Sequence, residues 1–509
     1  MRRTLATAAV AALAVTALAL PTAADPRPST AETASAVLAR ASHLLSASPA
    51  PRRTTGPAAR TDVSLALADL VAVLPALGAR ERSEADALLK RPTDGRADGY
   101  TVPSTKKCGG RFCVHYVTST ADAPPDLAWV RKTLSLMNRV WRFEVDRLGY
   151  DRPPSDGATR RNGGNAKFDV YLQDLGARTL YGYCAPEDFA PGSKRRTTSY
   201  CVLDNDFSST QFGAPAADSL RVTAAHEFFH AIQFGYDYRE DRWLLESTAT
   251  WMEERFADAT DDNLQYLDHG QLAKPGSSLD VYDADGFNQY ANWVWWEYLA
   301  ERFGNGIVRQ VWDQAGEGRS QGKAYSTQAV ARVLARRSSL TRVFAAYAAA
   351  NTAPAATYAE GHKWPAAEPL QSWTLSPSSP RATTTATINH LASQSVEIRP
   401  DPALIGAAWS VTATVDGPGR ATSPAAYLSV EHRDGRWTRR AISLSRRGVG
   451  TTRFPFSAES VVSATVTLAN TSTRFRCGTG GRLYSCHGTP RDQREEFAVS
   501  VELRQRPVR

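Results

Sequence analysis

The sequence predicts an α+β domain followed by an all-β sandwich domain, with a helical segment before both. In the middle of the chain, stretches with strand-like patterns come first and stretches with helical spacing follow, which is typical of α+β folds. Beyond about residue 366, short strand patterns are separated by Gly, Pro and Asp-Gly turns, as in a β-sandwich. A chain of 509 residues is also too long for one ordinary core.

Residues 1–24 read as a secretory signal peptide. Arg2 and Arg3 form a basic start, "LATAAVAALAVTALAL" is an apolar run, and small residues precede a cleavage point after Ala24. A membrane anchor is the alternative, but the run is short and polar sequence follows at once. We therefore expect a secreted, extracellular protein without a transmembrane anchor.

Residues 25–104 contain two helical patterns, "AETASAVLARASHLLSA" and "VSLALADLVAVLPALG", around a spacer with Pro, Gly and Arg. The segment has no cysteine and no catalytic constellation. Two interpretations remain open at this point. It is a pro-segment removed after export, or it is a permanently attached helical module.

Residues 105–365 carry the α+β pattern. "RFCVHYVTS", "KFDVYLQDL" and "SYCVLDNDF" predict strands, and residues 127–148 predict a long amphipathic helix. Further helices follow to about residue 352. Residues 366–509 form the predicted β-sandwich domain, whose strand patterns are "SQSVEIRP", "AAWSVTATVDG", "AAYLSVEHRDG", "SVVSATVTLAN" and "EEFAVSVELRQ".

The six cysteines fall into three pairs that are close in sequence. An exported chain favours disulfides over free buried thiols. We therefore predict the bonds Cys108–Cys113, Cys184–Cys201 and Cys477–Cys486.

The formal charge of +8 comes mostly from arginine. Because no Lys/Arg run with interleaved aromatic residues is present, the sequence argues against nucleic-acid binding. A basic surface favours either anionic substrates or association with acidic cell-wall polymers, and the β-sandwich domain is the candidate for cell-wall association.

The stretch "TAAHEFFHAIQFGYD" places His226 and His230 one helical turn apart. On a helix, Phe228, Phe229 and neighbouring apolar residues form one stripe, and the two imidazoles share another side. Two such histidines can chelate one Zn²⁺. Glu227 is then placed to accept a proton from a zinc-activated water rather than to bind the metal. We expect "SYCVLDNDF", just upstream, to be the edge strand of a substrate cleft.

A second helix, "WLLESTATWMEERFA", offers the third ligand that a catalytic zinc needs. Glu246 lies sixteen residues after His230 and could fold back over the metal. Glu253 lies about 10 Å further along the helix axis, so only one of the two glutamates can coordinate. We favour Glu246, because it stands in the first turns of the helix.

The motifs "HEFFHAIQFGYD", "WLLESTATWMEE" and "CGGRFCVHYVTSTADAP" resemble the gluzincin branch of zinc peptidases, the peptidase MA type. More narrowly, they resemble a family of exported bacterial metalloproteases of the myxobacterial type, with HEFxH and WxxExTATW motifs. The resemblance covers roughly residues 105–365. It implies a zincin-like domain with His226, His230 and Glu246 as metal ligands and Glu227 as general base. Many gluzincins have an acidic residue four positions after the ligand glutamate, where this chain has Thr250.

Tyr290 is the candidate donor for the oxyanion of the transition state. It stands at the start of the helical pattern "FNQYANWVWWEYLAERFG", and related peptidases often place a tyrosine at the head of the equivalent helix. The alternative is an aromatic packing residue. Tyr236 and Tyr238 are the next candidates for the donor.

Two further features carry weaker hypotheses. His115 lies in a predicted strand and reads as a packed or surface histidine. "DVYDADGFN", Asp280 to Asn288, resembles a loop for a structural Ca²⁺, but it lacks the full EF-hand pattern and reads better as a solvated turn.

These observations predict an exported zinc metallopeptidase that hydrolyses peptide bonds of a protein or peptide substrate and binds one catalytic Zn²⁺. The alternative is a catalytically inactive zincin scaffold that acts as a cell-wall or polysaccharide binding module.

Overall fold

The computed structural model describes residues 33–46, 63–284, 286–317, 324–479, 481 and 483–505. The protein is a mixed α/β structure with several sheets, as the predicted α+β class requires. The predicted signal peptide and the spacer between the two predicted N-terminal helices lie outside the described residues. None of the helices that the structure describes is long and apolar enough to cross a membrane.

Within the described residues, the N-terminal two thirds of the chain contain twelve α-helices, several short 3-10 helices and one π-helix, Arg142–Arg147, directly after the fourth α-helix. The α-helices are α1 Ala34–Ser46, α2 Val63–Val73, α3 Ala79–Leu88, α4 Leu127–Trp141, α5 Ser209–Phe212, α6 Ala216–Asp237, α7 Arg242–Ala257, α8 Asn288–Ala291, α9 Trp293–Phe303, α10 Gly306–Ala315, α11 Ser326–Ala335 and α12 Leu340–Ala350. The helix predicted over 127–148 is confirmed, although its last turn is π rather than α.

The first sheet has five strands in the order β1-β2-β3-β5-β4. These strands are β1 Thr105–Gly109, β2 Phe112–Tyr116, β3 Phe168–Gln173, β4 Gly182–Phe189 and β5 Thr197–Asp204. β2, β3 and β5 run parallel, while β1 and β4 are antiparallel to their neighbours. The expectation that "SYCVLDNDF" forms the edge strand is wrong. It forms β5, which is paired on both sides, and the antiparallel strand β4 takes the edge.

The sequence pattern did not reveal β4, because its residues "GYCAPEDF" include glycine and proline, which are unfavourable in strands. β4 is an edge strand, where a proline is tolerated because one side of the strand needs no ladder hydrogen bond. α6 packs against both β4 and β5, and α2 packs on β4. The edge of the sheet therefore lies between the N-terminal helices and α6.

The C-terminal part consists of two larger sheets and a short two-stranded sheet. The larger sheets have the orders β11-β10-β13-β8-β6 and β12-β9-β16-β7, and β14 pairs with β15. The strands are β6 Gln371–Leu375, β7 Arg381–Ile388, β8 Ala392–Pro400, β9 Trp409–Asp416, β10 Pro424–His432, β11 Trp437–Ile442, β12 Val449–Pro455, β13 Val461–Asn470, β14 Phe475–Arg476, β15 Thr489–Pro490 and β16 Glu495–Gln505. Apolar residues from both larger sheets share one core, as in a sandwich.

The three predicted disulfides are confirmed. Cys108–Cys113 joins β1 to β2, Cys184–Cys201 joins β4 to β5, and Cys477–Cys486 closes a loop in the C-terminal part. Three disulfides fit an oxidising compartment. The second of them fixes the edge strand β4 to the interior of the sheet, next to α6.

Candidate metal centre

Aromatic packing holds α6 in place. Phe228 is fully buried and meets the rings of Phe112, Trp141 and Phe168, with centroid distances of 5.2, 5.5 and 5.4 Å. The contacts with Phe112 and Phe168 are edge-to-face, and such contacts stabilise a core beyond the area that they bury. Because the phenylalanine side of the helix faces the sheet, the histidines of α6 face α7 across a buried space.

His226, His230 and Glu246 converge on one point. The Nε2 atoms of the two histidines are 3.0 Å apart, and each lies 3.3 Å from a carboxylate oxygen of Glu246. All three side chains are at least nine-tenths buried. One ligand atom from each residue lies within 4.8 Å of the other two, a grouping that could hold a metal ion.

The outer nitrogens of both rings are hydrogen-bonded. Nδ1 of His226 lies 2.6 Å from Oε1 of Glu253, and Nδ1 of His230 lies 2.7 Å from Oε1 of Gln233. The amide nitrogen of Gln233 donates to the carbonyl oxygen of Leu245 and to the hydroxyl of Thr248, so its Oε1 is the atom that faces His230. Both Nδ1 atoms must therefore donate, and in the neutral rings both Nε2 atoms carry lone pairs.

This donor set fits a zinc ion. Two imidazole lone pairs that face each other at 3.0 Å, beside a carboxylate, repel one another unless a cation or a proton lies between them. Two histidines and one carboxylate are a common catalytic zinc set, and hydrogen bonds from the other ring nitrogens are typical of such ligands. The residues present thus match the requirements of the metal in both ligand type and tautomer.

The histidines and the glutamates of the cluster shift the pKa values of one another. Burial acts to lower the pKa of His226, but the carboxylates of Glu246 and Glu253 outweigh it and raise the pKa to about 10. Burial likewise acts to raise the pKa of Glu246, but His230 and His226 hold that pKa well below its usual range. The site therefore favours a negative carboxylate together with a positive charge between the rings.

Glu253 is not placed as a ligand equivalent to Glu246. It contacts the far nitrogen of His226, the one that points away from the cluster. The position that the family pattern fills with an acid holds Thr250, whose hydroxyl donates to the backbone carbonyl of Glu246. Glu253 and Gln233 supply the two orienting contacts instead.

Glu227 faces the same cavity as the histidines and Glu246. Its Oε2 accepts a hydrogen bond of 2.9 Å from the hydroxyl of Ser64. Gly182 of β4 packs beside it, and a Cβ atom at that glycine would lie 3.1 Å from Cγ of Glu227 and 3.0 Å from Cγ2 of Thr223. Because residue 182 has no side chain, the Glu227 side chain fits beside β4 without a steric clash.

Tyr290 is packed among aromatic rings and also lines the cavity of the candidate site. Its ring is buried and stacks on Tyr266 at 5.3 Å, as a packing residue does. It also stacks on His226 at 6.4 Å and lines the cavity with Glu227. Tyr236 and Tyr238 do not line this cavity. The hydroxyl of Tyr236 accepts from the backbone of Asp151, and the ring of Tyr238 packs on Phe189.

The two weaker candidates lie elsewhere. His115 is buried, hydrogen-bonded to Asp169 at 2.7 Å and stacked on Tyr171 at 4.6 Å, which is the environment of a packed histidine. Asp280, at the start of the calcium-like loop, is fully buried rather than solvated. Its carboxylate contacts Nε2 of His390 and accepts from the hydroxyl of Ser485, both at 2.7 Å.

A second grouping of three acids lies away from the histidines. It consists of Glu254, Asp258 and Glu360. Asp258 is exposed, and Glu254 is engaged by Arg255 and Asn263. Exposed acidic groups are common without an ion, so this grouping carries no assignment.

Comparisons with known proteins add no functional information. No family model matches the chain, and no curated protein matches it. Among solved structures, one match is CorA, a surface-associated copper-binding protein of Methylomicrobium album BG8, with 9% identity, 26% of this chain and 98% of that chain covered, and a TM-score of 0.15. Another is a family 115 4-O-methyl-α-glucuronidase specific for decorated arabinogalactans, with 9% identity, 71% and 54% covered, and a TM-score of 0.14. TM-scores this low carry no argument about fold or function.

Proposed function

We propose that the protein is an exported zinc-dependent peptidase. The observation that carries the proposal is the buried convergence of two histidine Nε2 atoms and the Glu246 carboxylate, with Glu227 facing the same cavity. The motif resemblance to gluzincins supports the same conclusion and implies a zincin-like fold for residues 105–365. Secretion follows from the predicted signal peptide and agrees with the three disulfides.

His226, His230 and Glu246 would hold the zinc ion. When bound, zinc supplies a Lewis acid that polarises a peptide carbonyl and makes a water molecule more acidic. Glu253 and Gln233 orient the two rings, so that both Nε2 lone pairs stay directed at one point. Removing either orienting contact is expected to weaken zinc binding rather than to abolish it.

Glu227 is the general base in this proposal. Its carboxylate accepts a proton from the attacking water and passes that proton to the leaving amine. Tyr290, on the same cavity, is the candidate donor to the oxygen that gains negative charge in the transition state. Glu227 and Tyr290, the two residues assigned here, line the same cavity.

Metal analysis combined with peptide hydrolysis tests the proposal. The purified, processed protein should contain one zinc per chain and should cleave a peptide library, and a chelator should stop the cleavage. Glu246→Ala should lose zinc, because it removes a ligand, whereas Glu253→Ala should keep most of it. Stoichiometric zinc without cleavage of diverse peptides would favour the binding-module alternative, and absence of zinc binding would contradict the proposal.

A further inference from the structure

The N-terminal helix α2 lies directly on the candidate site. Val63 and Ser64 line the same cavity as His226 and Glu227, although they precede these residues by more than 160 positions. The hydroxyl of Ser64 donates to Oε2 of Glu227 and accepts from the backbone N–H of Cys184, both at 2.9 Å. Ser64 thus occupies a hydrogen-bonding position at the carboxylate that the proposed mechanism requires for water.

The space that remains beside Glu227 is too small for a substrate. The cavity has a volume of about 20 Å³, and a single water molecule requires roughly 10–15 Å³ on the same kind of measure. In this arrangement His226 and Glu227 are more than nine-tenths buried, and the space beside them holds about one water molecule.

α2 also covers the edge of the sheet. β4 has a strand partner, β5, on one side, and its first five residues, Gly182–Pro186, are buried. An exposed edge strand is a place where an extended peptide can add as a further strand. Because α2 packs on β4, this edge is not accessible to a peptide.

Polar contacts hold α2 in this position. Asp69 of α2 is buried and forms an ion pair with Arg242, the first residue of α7, and another with Arg40 of α1 at 2.7 Å. Val63–Val71 are all buried, because α1 covers α2 from the outside. The helix that carries Glu246 is thus tied to the helix that covers the cavity.

The connection after α2 is largely exposed. Several residues between Pro75 and Glu84 are exposed, including Arg80 and Arg82. Further along, Arg91 is buried among Asp156, Asp169 and Glu187 at 2.6–2.8 Å. The covering segment therefore ends before Arg91.

We propose that α2 is an intramolecular inhibitor of the candidate peptidase, with Ser64 bound to the general base Glu227. This inference rests on the proposed function. Opening the site requires α2 to leave β4 and to break the Asp69–Arg242 ion pair. The substrate then gains both the cavity and the free edge of β4.

The test uses the full chain with a site for a sequence-specific protease inserted between Gly78 and Ala79. A matched control carries the same site between Asp434 and Gly435, in the exposed turn between β10 and β11. Asp69→Ala is added to both chains, so that the cut segment can separate. Four quantities are measured before and after cutting: zinc content, affinity for a peptide hydroxamate, peptide cleavage, and backbone hydrogen exchange in Gly182–Pro186. The exchange measurement requires no bound metal.

Cutting after Gly78 should raise hydroxamate affinity by about 100-fold or more and should speed exchange in β4, whereas the control cut should change neither. If the segment separates and both readouts stay at their values before cutting, the inhibitory role is overturned. It is also overturned if the intact chain already binds the hydroxamate as tightly as the cut chain. Faster exchange and tight hydroxamate binding without peptide cleavage would contradict the proposed function while leaving the inhibition supported.

A second measurement covers the case in which the cut protein does not stay folded. In the intact chain, hydroxamate association should be limited by the opening of α2 and should not depend on hydroxamate concentration. Asp69→Ala should raise this rate by roughly 10–100-fold, since it removes a charge that holds α2 on α7. A rate that follows hydroxamate concentration and is unchanged in Asp69→Ala would overturn the proposal.

Discussion

Single residues of the candidate site have separable roles. Glu253 and Gln233 contact the outer nitrogens of the two histidines, so they orient the rings and would affect the proposed zinc ion only through them. Glu253→Gln should therefore reduce zinc affinity by about 10–100-fold, while Glu246→Ala should abolish stoichiometric binding. Zinc titration of the two variants checks this prediction, and equal losses would contradict the distinction.

Gly182 is a more specific test of the geometry around Glu227. A methyl group at residue 182 would approach Cγ of Glu227 to 3.1 Å and the carbonyl oxygen of Val202 to 3.0 Å. Since these atoms must shift by a few tenths of an ångström, Gly182→Ala should lower kcat by about 10-fold or more at unchanged zinc content. Thermal unfolding of the variant separates this effect from a loss of fold, and an unaffected kcat would show that Glu227 does not depend on this space.

Tyr290→Phe removes one hydroxyl and keeps the ring that stacks on His226 and Tyr266. If the hydroxyl donates to the transition state, kcat should fall by roughly 10- to 1,000-fold with zinc content and thermal stability nearly unchanged. A variant that merely unfolds earlier would identify Tyr290 as a packing residue.

Glu144 is a buried carboxyl outside the proposed catalytic set. Among the described residues, neither of its carboxylate oxygens has a hydrogen-bond partner, and burial raises its pKa well above the usual value. The folded protein therefore keeps a proton that the unfolded chain has released, so stability falls as pH rises above the unfolded pKa. Relative to the wild type, Glu144→Met should gain unfolding free energy by about 1.4 kcal/mol per pH unit from pH 5 upward, as long as the folded carboxyl stays protonated.

Urea unfolding at pH 5 and pH 8 measures this difference. The Asp434→Asn change in an exposed turn is a suitable control, because its effect should stay within about 0.5 kcal/mol at both pH values. A gain for Glu144→Met that does not grow with pH would mean that Glu144 is ionised in the folded protein.

Among the helices and strands, those with a regular spacing of apolar residues could be predicted from the sequence. The helix of His226, the following helix of Glu246 and the strands of the C-terminal sandwich have clear apolar patterns, and they form as expected. β4 was missed, because glycine, proline and cysteine interrupt its pattern, and β5 was then misplaced at the edge. The order of strands in a sheet is set by tertiary pairing, which one strand's own residues do not specify.

The residues of the candidate site show the same difference. Those close together in sequence could be predicted, and the one that is distant in sequence could not. His226, Glu227 and His230 share one helical turn, so spacing alone brought them together. Gln233 stands three residues after His230 on the same helix, and this spacing could have indicated its role. Ser64 carried no such signal, since its contact with Glu227 joins residues 163 positions apart.

At the scale of the whole molecule, the C-terminal part is connected to the helical part by buried polar contacts. Asp280 contacts His390 and Ser485, and Asp241, just before α7, accepts from the backbone N–H of Cys486 at 2.7 Å. Burial acts to raise the pKa of Asp280, but His390 and Ser485 outweigh it and lower the pKa. The stability that Asp280 contributes is therefore present above its unfolded pKa and is lost as pH falls through the folded pKa.

Asp280→Ala should destabilise the protein by about 3–5 kcal/mol near neutral pH, because it leaves His390 and Ser485 buried without their partner. Calorimetry of the variant beside the Asp434→Asn control measures the loss. If the two variants unfold alike, the contact between Asp280 and the C-terminal part does not hold the molecule together.

The most direct measurement of the central claim is peptide hydrolysis by zinc-loaded Glu227→Gln. The substitution keeps the volume of the side chain and removes the base, and it should be made in the chain cut after Gly78, so that α2 does not mask the result. We predict bound zinc at the wild-type stoichiometry and a loss of kcat/KM of about 10²–10⁴-fold or more. Near wild-type hydrolysis by the zinc-loaded variant would contradict the role of Glu227 and with it the proposed mechanism.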